Sequence, residues 1–303
     1  MSLYHQKLES YEPRLVREAI EAGFANLGGL EQLLGTRQKV LLKPNFVSMK
    51  PKETNVCTRP EVVLATVEAF LDRGVQVAIG ESPGFGSTEA AVELLGLKEP
   101  LEKRQVNYFT FSKATYFTTD NPKFRRLGIA AELDDYDGVV NLAKIKTHCQ
   151  TQFSGAVKNL YGCVPGKRKA YRHLQAGDDE AAFMQMLVDN YRQVNAFLHL
   201  ADGVEVLHKN GPTSGDSLPF GSLLVGDDGV QMDWEICRLI GLDPMSTLQF
   251  QCLGVQPDSE VLGVSAPPVL EFEHAAKLPV SFNPLRLGLS VLRQSWSRLR
   301  RKI

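Results

Sequence analysis

Cysteine is scarce in this sequence and carries no pattern. The five residues, Cys57, Cys149, Cys163, Cys237 and Cys252, are odd in number, and no pair has C-x-x-C spacing. That argues against a disulfide framework and against a local zinc or iron–sulfur cassette. Long apolar runs are missing too, with no window of the roughly eighteen apolar residues that a membrane-spanning helix needs. The first residues, MSLYHQKLES, lack the apolar core of a signal peptide. A reduced, cytoplasmic protein is the expectation. Charge of one sign is also lacking: the formal net charge is −1, so nucleic acid is not an expected partner. There is no internal repeat and no low-complexity tract.

What is present is a 303-residue chain that is 43% hydrophobic, which is enough to bury a large core. Apolar periodicity predicts a helix over 13–34, with Pro13 in its first turn, and a second from Pro60 to about Arg73, stopped by Gly74. Short buried strands are predicted at 40–42, 75–79 and 139–142, and a helix at 87–96. Residues 105–118 read as two strands with a turn, and 120–137 as irregular or partly helical. Further helices are expected from Asp178 to about Asn195 and from Gly229 to Ile240, the latter capped by Asp228. Strand-like segments run from Phe197 to Asp202 and from Ser222 to Val225. The proline-rich residues 244–284 show little periodicity. Strand, loop and helix alternate at βαβ spacing. The fold class expected is therefore α/β, an open, mostly parallel sheet with helices on both faces, plus a C-terminal amphipathic helix. Residues 1–284 form one domain, with a subdivision near 120 as an alternative.

The segment 285–303 stands apart. Leu285, Leu289, Leu292, Trp296, Leu299 and Ile303 make one helical apolar stripe, and residues 286–303 hold six Arg or Lys and no acid. Packing on its own domain or in a homo-oligomer is one reading of this helix. Peripheral attachment to anionic lipid at the inner membrane face is the other.

Chemistry concentrates between Asn141 and His173. A buried strand is expected to empty into a loop holding Lys144, Lys146 and His148, followed by Phe153-Ser154-Gly155-Ala156-Val157-Lys158-Asn159 and a basic cluster ending at His173. In open α/β sheets, ligands sit at the carboxyl ends of the strands. That places Lys43, Asn45, Glu81, Ser82, Lys146, His148, Lys158 and Asp202 around one cleft. Lys144 and Lys146 share parity and project to one face if the strand continues. Any one lysine reads more simply as solvated surface charge. The cluster reads as a site for a carboxylate or phosphate, with free N–H groups of the Ser154–Lys158 loop as added donors. No P-loop and no G-x-G-x-x-G is present. His148 suits a general acid–base. Lys158 suits either a nucleophile with a depressed pKa or an anion clamp. Arg59, before the second helix, offers a fork for a carboxylate and reads equally well as a surface residue. Asp202 is a candidate to orient a histidine or hold a metal. Asp233 suits a bond to a nearby loop.

The phrases Lys43-Pro44-Asn45, Lys146-Thr147-His148, Gly155-Ala156-Val157-Lys158-Asn159-Leu160-Tyr161-Gly162, His173, Asn210-Gly211-Pro212 and Asp233 resemble the family of bacterial and archaeal proteins catalogued as domain of unknown function 362, over roughly residues 38–245. The resemblance implies an α/β domain without a settled reaction. Some members carry an appended ferredoxin-type segment, for which this chain lacks the clustered cysteines, so no iron–sulfur cluster is expected. A more distant likeness is to lactate racemases, which use a nickel pincer nucleotide. Thr58-Arg59-Pro60, His148, Phe153-Ser154-Gly155, Lys158 and His173 are similar to that family's phrases. The likeness implies His148 as acid–base, Lys158 as cofactor anchor and His173 as metal ligand. Where that family has a second catalytic histidine, this chain reads Gly80-Glu81-Ser82. The expectation is thus an enzyme with an anionic small-molecule substrate. Its candidate catalytic residues are His148 and Lys158, and its substrate-binding residues are Lys43, Asn45, Arg59, Lys146, Ser154 and Asn159. The alternatives are a metal-nucleotide enzyme of the racemase kind and a non-catalytic scaffold recruited by its C-terminal helix.

Overall fold

A computed structural model describes residues 2–47, 56–84, 86–257, 261–264 and 266–281. The predicted C-terminal helix over 285–303 lies outside the described residues.

The elements in order are β1 (Leu3–Lys7), α1 (Pro13–Asn26), α2 (Leu30–Leu34), β2 (Lys39–Pro44), α3 (Pro60–Leu71), β3 (Gln76–Glu81), α4 (Thr88–Leu94), α5 (Lys98–Lys103), β4 (Asn107–Thr110), β5 (Ala114–Thr118) and β6 (Arg126–Ala130). They continue with β7 (Gly138–His148), β8 (Gln152–Ser154), α6 (Ala156–Asn159), α7 (Arg168–Ala176), α8 (Glu180–Val194), β9 (Leu198–His208), β10 (Asp216–Gly226), α9 (Gly229–Leu239), α10 (Leu248–Leu253) and β11 (Val261–Gly263). Among the described residues one sheet runs β11-β1-β10-β9-β7-β2-β3-β4, with β8 paired to the end of β7, and β5 and β6 form a separate hairpin. Strands β9, β7, β2, β3 and β4 are mutually parallel. Beyond β9, β10 and β1 run antiparallel to their neighbours, and β11 adds in parallel to β1.

Alternation along the central strands puts helices on both faces. Val40, Leu42, Val77, Ile79, Val140 and Leu142 pack with α1 and α3. Leu41, Ala78 and Val139 pack with Val194 of α8 on the opposite face. Ala143 and Ile145 meet α6 and α9 there too. The α/β architecture with a mostly parallel open sheet is thus the observed one.

Several local expectations are corrected. The helix over 13–34 is two helices, because Gly28 and Gly29 both take φ of +95° and break it. Strand β7 continues through Lys144 and Lys146 to His148, so these three residues stand on a strand and not in a loop. The two expected strands in 105–118 exist but do not pair with each other. β4 extends the main sheet, while β5 pairs with β6, a strand inside the stretch expected to be irregular. Strand β9 runs on to His208, which puts Asp202 in mid-strand.

Candidate functional site

The carboxyl ends of β2, β3 and β7 meet in a polar network that is almost wholly buried. Lys43, at the end of β2, is 1% exposed. Its Nζ donates to Glu81 Oε2 at 2.5 Å, to the Pro44 carbonyl at 2.8 Å and to Asn159 Oδ1 at 3.0 Å. Asn45 Nδ2 donates to the same Asn159 oxygen at 2.7 Å, and Lys146 Nζ donates to Asn45 Oδ1 at 2.8 Å and to the Val56 carbonyl at 2.7 Å. The other end of the Asn159 amide donates to Asn141 Oδ1 at 2.7 Å, and Asn141 Nδ2 in turn donates to the Ala156 carbonyl. One chain of bonds therefore links Glu81, Lys43, Asn159, Asn45 and Lys146. Ser82 joins it through its own backbone N–H, which donates to Glu81 Oε1 at 2.8 Å, and its carbonyl accepts from Lys169 Nζ of α7. Asn141 is a site residue that the sequence reading did not pick out. Its signal was a lone amide in the apolar run Val139–Ala143.

Lys158 sits beside this network and differs from it. The charges of Lys169 and Lys43 act on its amine, and its own charge acts on Lys146 and His148. Yet among the described residues Lys158 makes no ion pair and no side-chain hydrogen bond. Burial lowers its pKa to about 8; Cys149 pulls it back up, and the ammonium groups of Lys169 and Lys43 lower it further. Burial, with Lys158, Lys144 and Lys43, lowers Lys146 to about 7. Burial brings Lys169 to about 8, with Glu81 pulling it back up. His148 is held well below its usual value, by burial first and then by Lys158 and Lys146. Its Nδ1 accepts the Gln150 backbone N–H at 3.1 Å. The neutral ring therefore carries its proton on Nε2. Ser154 stands opposite Lys146 in the β7–β8 ladder, and its buried hydroxyl has no partner among the described residues. Directly opposed residues share a face, so this hydroxyl belongs with Lys146 and His148.

The N-terminus of α6 is not open to a ligand. Asp233, from α9, accepts the Ala156 N–H at 2.5 Å and the Val157 N–H at 3.0 Å, while Gln249 Nε2 donates to it at 2.8 Å. The expectation that these N–H groups bind an external anion is corrected: the protein's own carboxylate occupies them. Asp233 does bond to a nearby loop, and burial raises its pKa to about 7 against those donors. A Cβ at Gly155 would strike the Asp233 carboxylate. One at Gly162 would strike Glu81 and Lys43, so both positions need a hydrogen for side chain.

Two candidates lie in a neighbouring nest. Lys144 pairs with Asp202 at 2.9 Å, both fully buried, and Tyr11 donates to Asp202 at 2.7 Å. Asp202 also accepts the Arg59 backbone N–H. The Arg59 guanidinium lies over the Tyr11 ring at 4.4 Å and pairs with Glu61 at 3.3 Å. Asp202 and Arg59 are therefore engaged with Lys144, Tyr11 and Glu61, and are not part of the bond chain around Lys43.

His173, in α7, donates from Nδ1 to the Val280 carbonyl at 2.9 Å, and its ring lies 4.6 Å from that of Phe183. No group of three or more His, Cys, Asp or Glu placed to hold a metal ion occurs among the described residues. Glu81, in the Gly80-Glu81-Ser82 phrase, is locked to Lys43. A surface cavity of about 560 Å³ lies elsewhere, on the β5–β6 hairpin and α8, and shares no residue with the cluster.

An open, mostly parallel sheet with a lysine- and asparagine-rich cluster at its carboxyl ends defines an α/β protein with a polar site at the usual place for this architecture. The chain belongs to the family described as domain of unknown function DUF362, whose profile matches residues 40–238. It is 34% identical over 294 residues to the thylakoid-associated protein sll1697 of Synechocystis sp., an alignment covering 95% of this chain and 91% of that protein. A crystal structure of a protein from Thermotoga maritima superposes with a TM-score of 0.50 at 14% identity, over 77% of this chain and 60% of that one. The lactate racemase apoprotein from Thermoanaerobacterium thermosaccharolyticum does so with 0.50 at 14%, over 78% and 56%. The chain spans less than two thirds of the length of either solved structure, and the likeness to them is one of fold.

Proposed function

We propose that this chain is an enzyme that holds a small carboxylate- or phosphate-bearing substrate between Lys158, Lys146, Lys169 and the Ser154 hydroxyl. The single observation that carries this reading is Lys158: an amine among three other lysines that, among the described residues, pairs with no carboxylate. A bound anion would supply the missing counter-charge. Lys146 spends two of its three N–H donors on Asn45 and Val56, leaving one for the ligand. Asn45 and Asn159 position the lysines and do not themselves need to touch substrate. His148, neutral with a proton on Nε2, donates a hydrogen bond to a substrate oxygen. Lys158, with a pKa of about 8, exchanges protons near neutral pH. The metal-nucleotide reading taken from the racemase likeness finds no group of three or more metal-ligating side chains among the described residues.

The test is thermal stabilisation by inorganic phosphate and by small carboxylates, with Lys158→Ala beside the wild type. A ligand at one hundred times its Kd stabilises by about 2.7 kcal/mol. The reading expects that gain in the wild type and its loss in the variant. Equal gains in both would remove Lys158 from the site.

A second reading concerns location. The thylakoid-associated relative favours a peripheral attachment of this chain to a membrane. Among the described residues no helix is long and apolar enough to cross one. Surface contact is the form this reading takes. Deleting residues 285–303 and measuring vesicle flotation tests whether that segment supplies it.

A further inference from the structure

Helix α7 and the β5–β6 hairpin share a face that carries unbalanced positive charge beside exposed apolar side chains. Tyr171 and Leu174, one turn apart on α7, are 63% and 55% exposed, and Tyr116 of β5 is 45% exposed. Around Tyr116 the guanidinium groups crowd together. Arg126 lies over its ring at 4.4 Å, Arg168 Nε approaches its hydroxyl at 3.4 Å, and Arg172 donates to the Arg126 carbonyl at 2.6 Å. Lys167 and Arg125 are exposed at the margins. None of these five cations pairs with a carboxylate among the described residues; the nearby Asp179 is taken by Lys123 and by the start of α8. The bond from Arg168 and the surrounding charge lower the pKa of the Tyr116 hydroxyl. Like charges gathered without acids are uncompensated in the free protein. Tyr and Leu exposed among them suit the headgroup boundary of a bilayer better than open water.

We propose that this face docks on an anionic lipid surface. The inference rests on the peripheral-membrane reading above and adds to it the residues that make the contact. The same helix turns Lys169 inward to the Ser82 carbonyl, so docking sets the proposed anion site at the bilayer.

The test uses the full chain and vesicles of phosphatidylcholine with or without phosphatidylglycerol, read by flotation. Two variants are compared: Tyr171→Asp with Leu174→Asp, and Arg125→Glu with Arg126→Glu. All four positions are exposed, so the fold tolerates them, and an unchanged melting midpoint checks it. Lys98→Glu, an exposed change on α5, is the control. The wild type should float only with the anionic vesicles and be released by high salt. Each double variant should lose binding by about tenfold or more while the control keeps it. If both variants float as the wild type does, the face is wrong and the membrane reading stands. If the wild type floats with neither vesicle, both fall. Binding equal on neutral and anionic vesicles would overturn the electrostatic docking.

Discussion

A methyl group at residue 162 would decide whether the site can assemble. Its carbon would overlap the Glu81 carboxylate and the Lys43 ammonium. Gly162→Ala should therefore cost about 1–3 kcal/mol in urea unfolding and also weaken phosphate binding. Gly84→Ala, which meets nothing within 4 Å, serves as the comparison and should cost less. Lys158→Ala behaves in the opposite way. The amine has no partner to strand and its charge is repelled by Lys169 and Lys43, so stability should hold or rise slightly while anion binding is lost. Thermal melting with and without phosphate separates the two effects. At this scale much of the site was legible. Lys43, Asn45, Lys146 and His148 stand at the ends of β2 and β7, Lys158 and Asn159 stand on α6 just beyond, and the structure gathers them in or beside one buried cluster. The hidden part was who holds whom. Lys43 looks like a ligand contact in the sequence, yet it is 1% exposed and bonded to Glu81, a pairing set by strands β2 and β3 lying side by side. No local pattern encodes that.

At the scale of elements, α9 fixes α6 through one carboxylate. Asp233→Ala would leave the Ala156 and Val157 N–H groups and the Gln249 amide without their acceptor. A loss of about 3 kcal/mol follows from orphaned buried donors, measurable by chemical denaturation. Asp233 also sets a pH dependence. Its folded pKa, about 7, lies above the free value of 3.8, so the proton is held more tightly in the folded state. That contribution to stability is complete below the free value and is lost as pH rises through about 7, and Asp233→Asn should flatten this part of the profile. The Lys144–Asp202 pair ties β7 to β9, with Tyr11 bridging. Lys144→Met would strand a fully buried carboxylate at a cost of about 3–5 kcal/mol. Helix periodicity and caps revealed α3, α8 and α9 within a residue or two. The reach of β7 past its apolar core was obscured because its second half carries Lys144, Lys146, Thr147 and His148, and in β9 the Asp202-Gly203 step reads as a strand end although Val204, Val206 and Leu207 carry the strand on. Such residues read as loop until a partner buries them.

For the whole molecule, the βαβ rhythm from β2 to β7 was enough to foresee a parallel sheet, and the strand ends were enough to foresee which lysines and asparagines gather there. The antiparallel edge was not foreseeable, because β1 pairs residues such as Leu3 with Gly226, contacts made only once the chain has closed on itself. The concentration of lysines makes the entire fold sensitive to pH. Lys146, Lys158 and Lys169 bind protons less tightly folded than unfolded, so their joint contribution makes stability rise as pH climbs from about 7 toward 10.5. The proposed anion binding should run the other way, strongest where the lysines are protonated and fading above about 8. The most direct measurement is the pH dependence of amine acetylation at Lys158, read residue by residue by mass spectrometry, with and without inorganic phosphate. The account predicts an apparent pKa near 8 in the free protein, shifted upward by phosphate as the anion stabilises the ammonium. A value near the ordinary 10.5 that phosphate leaves unmoved would contradict it.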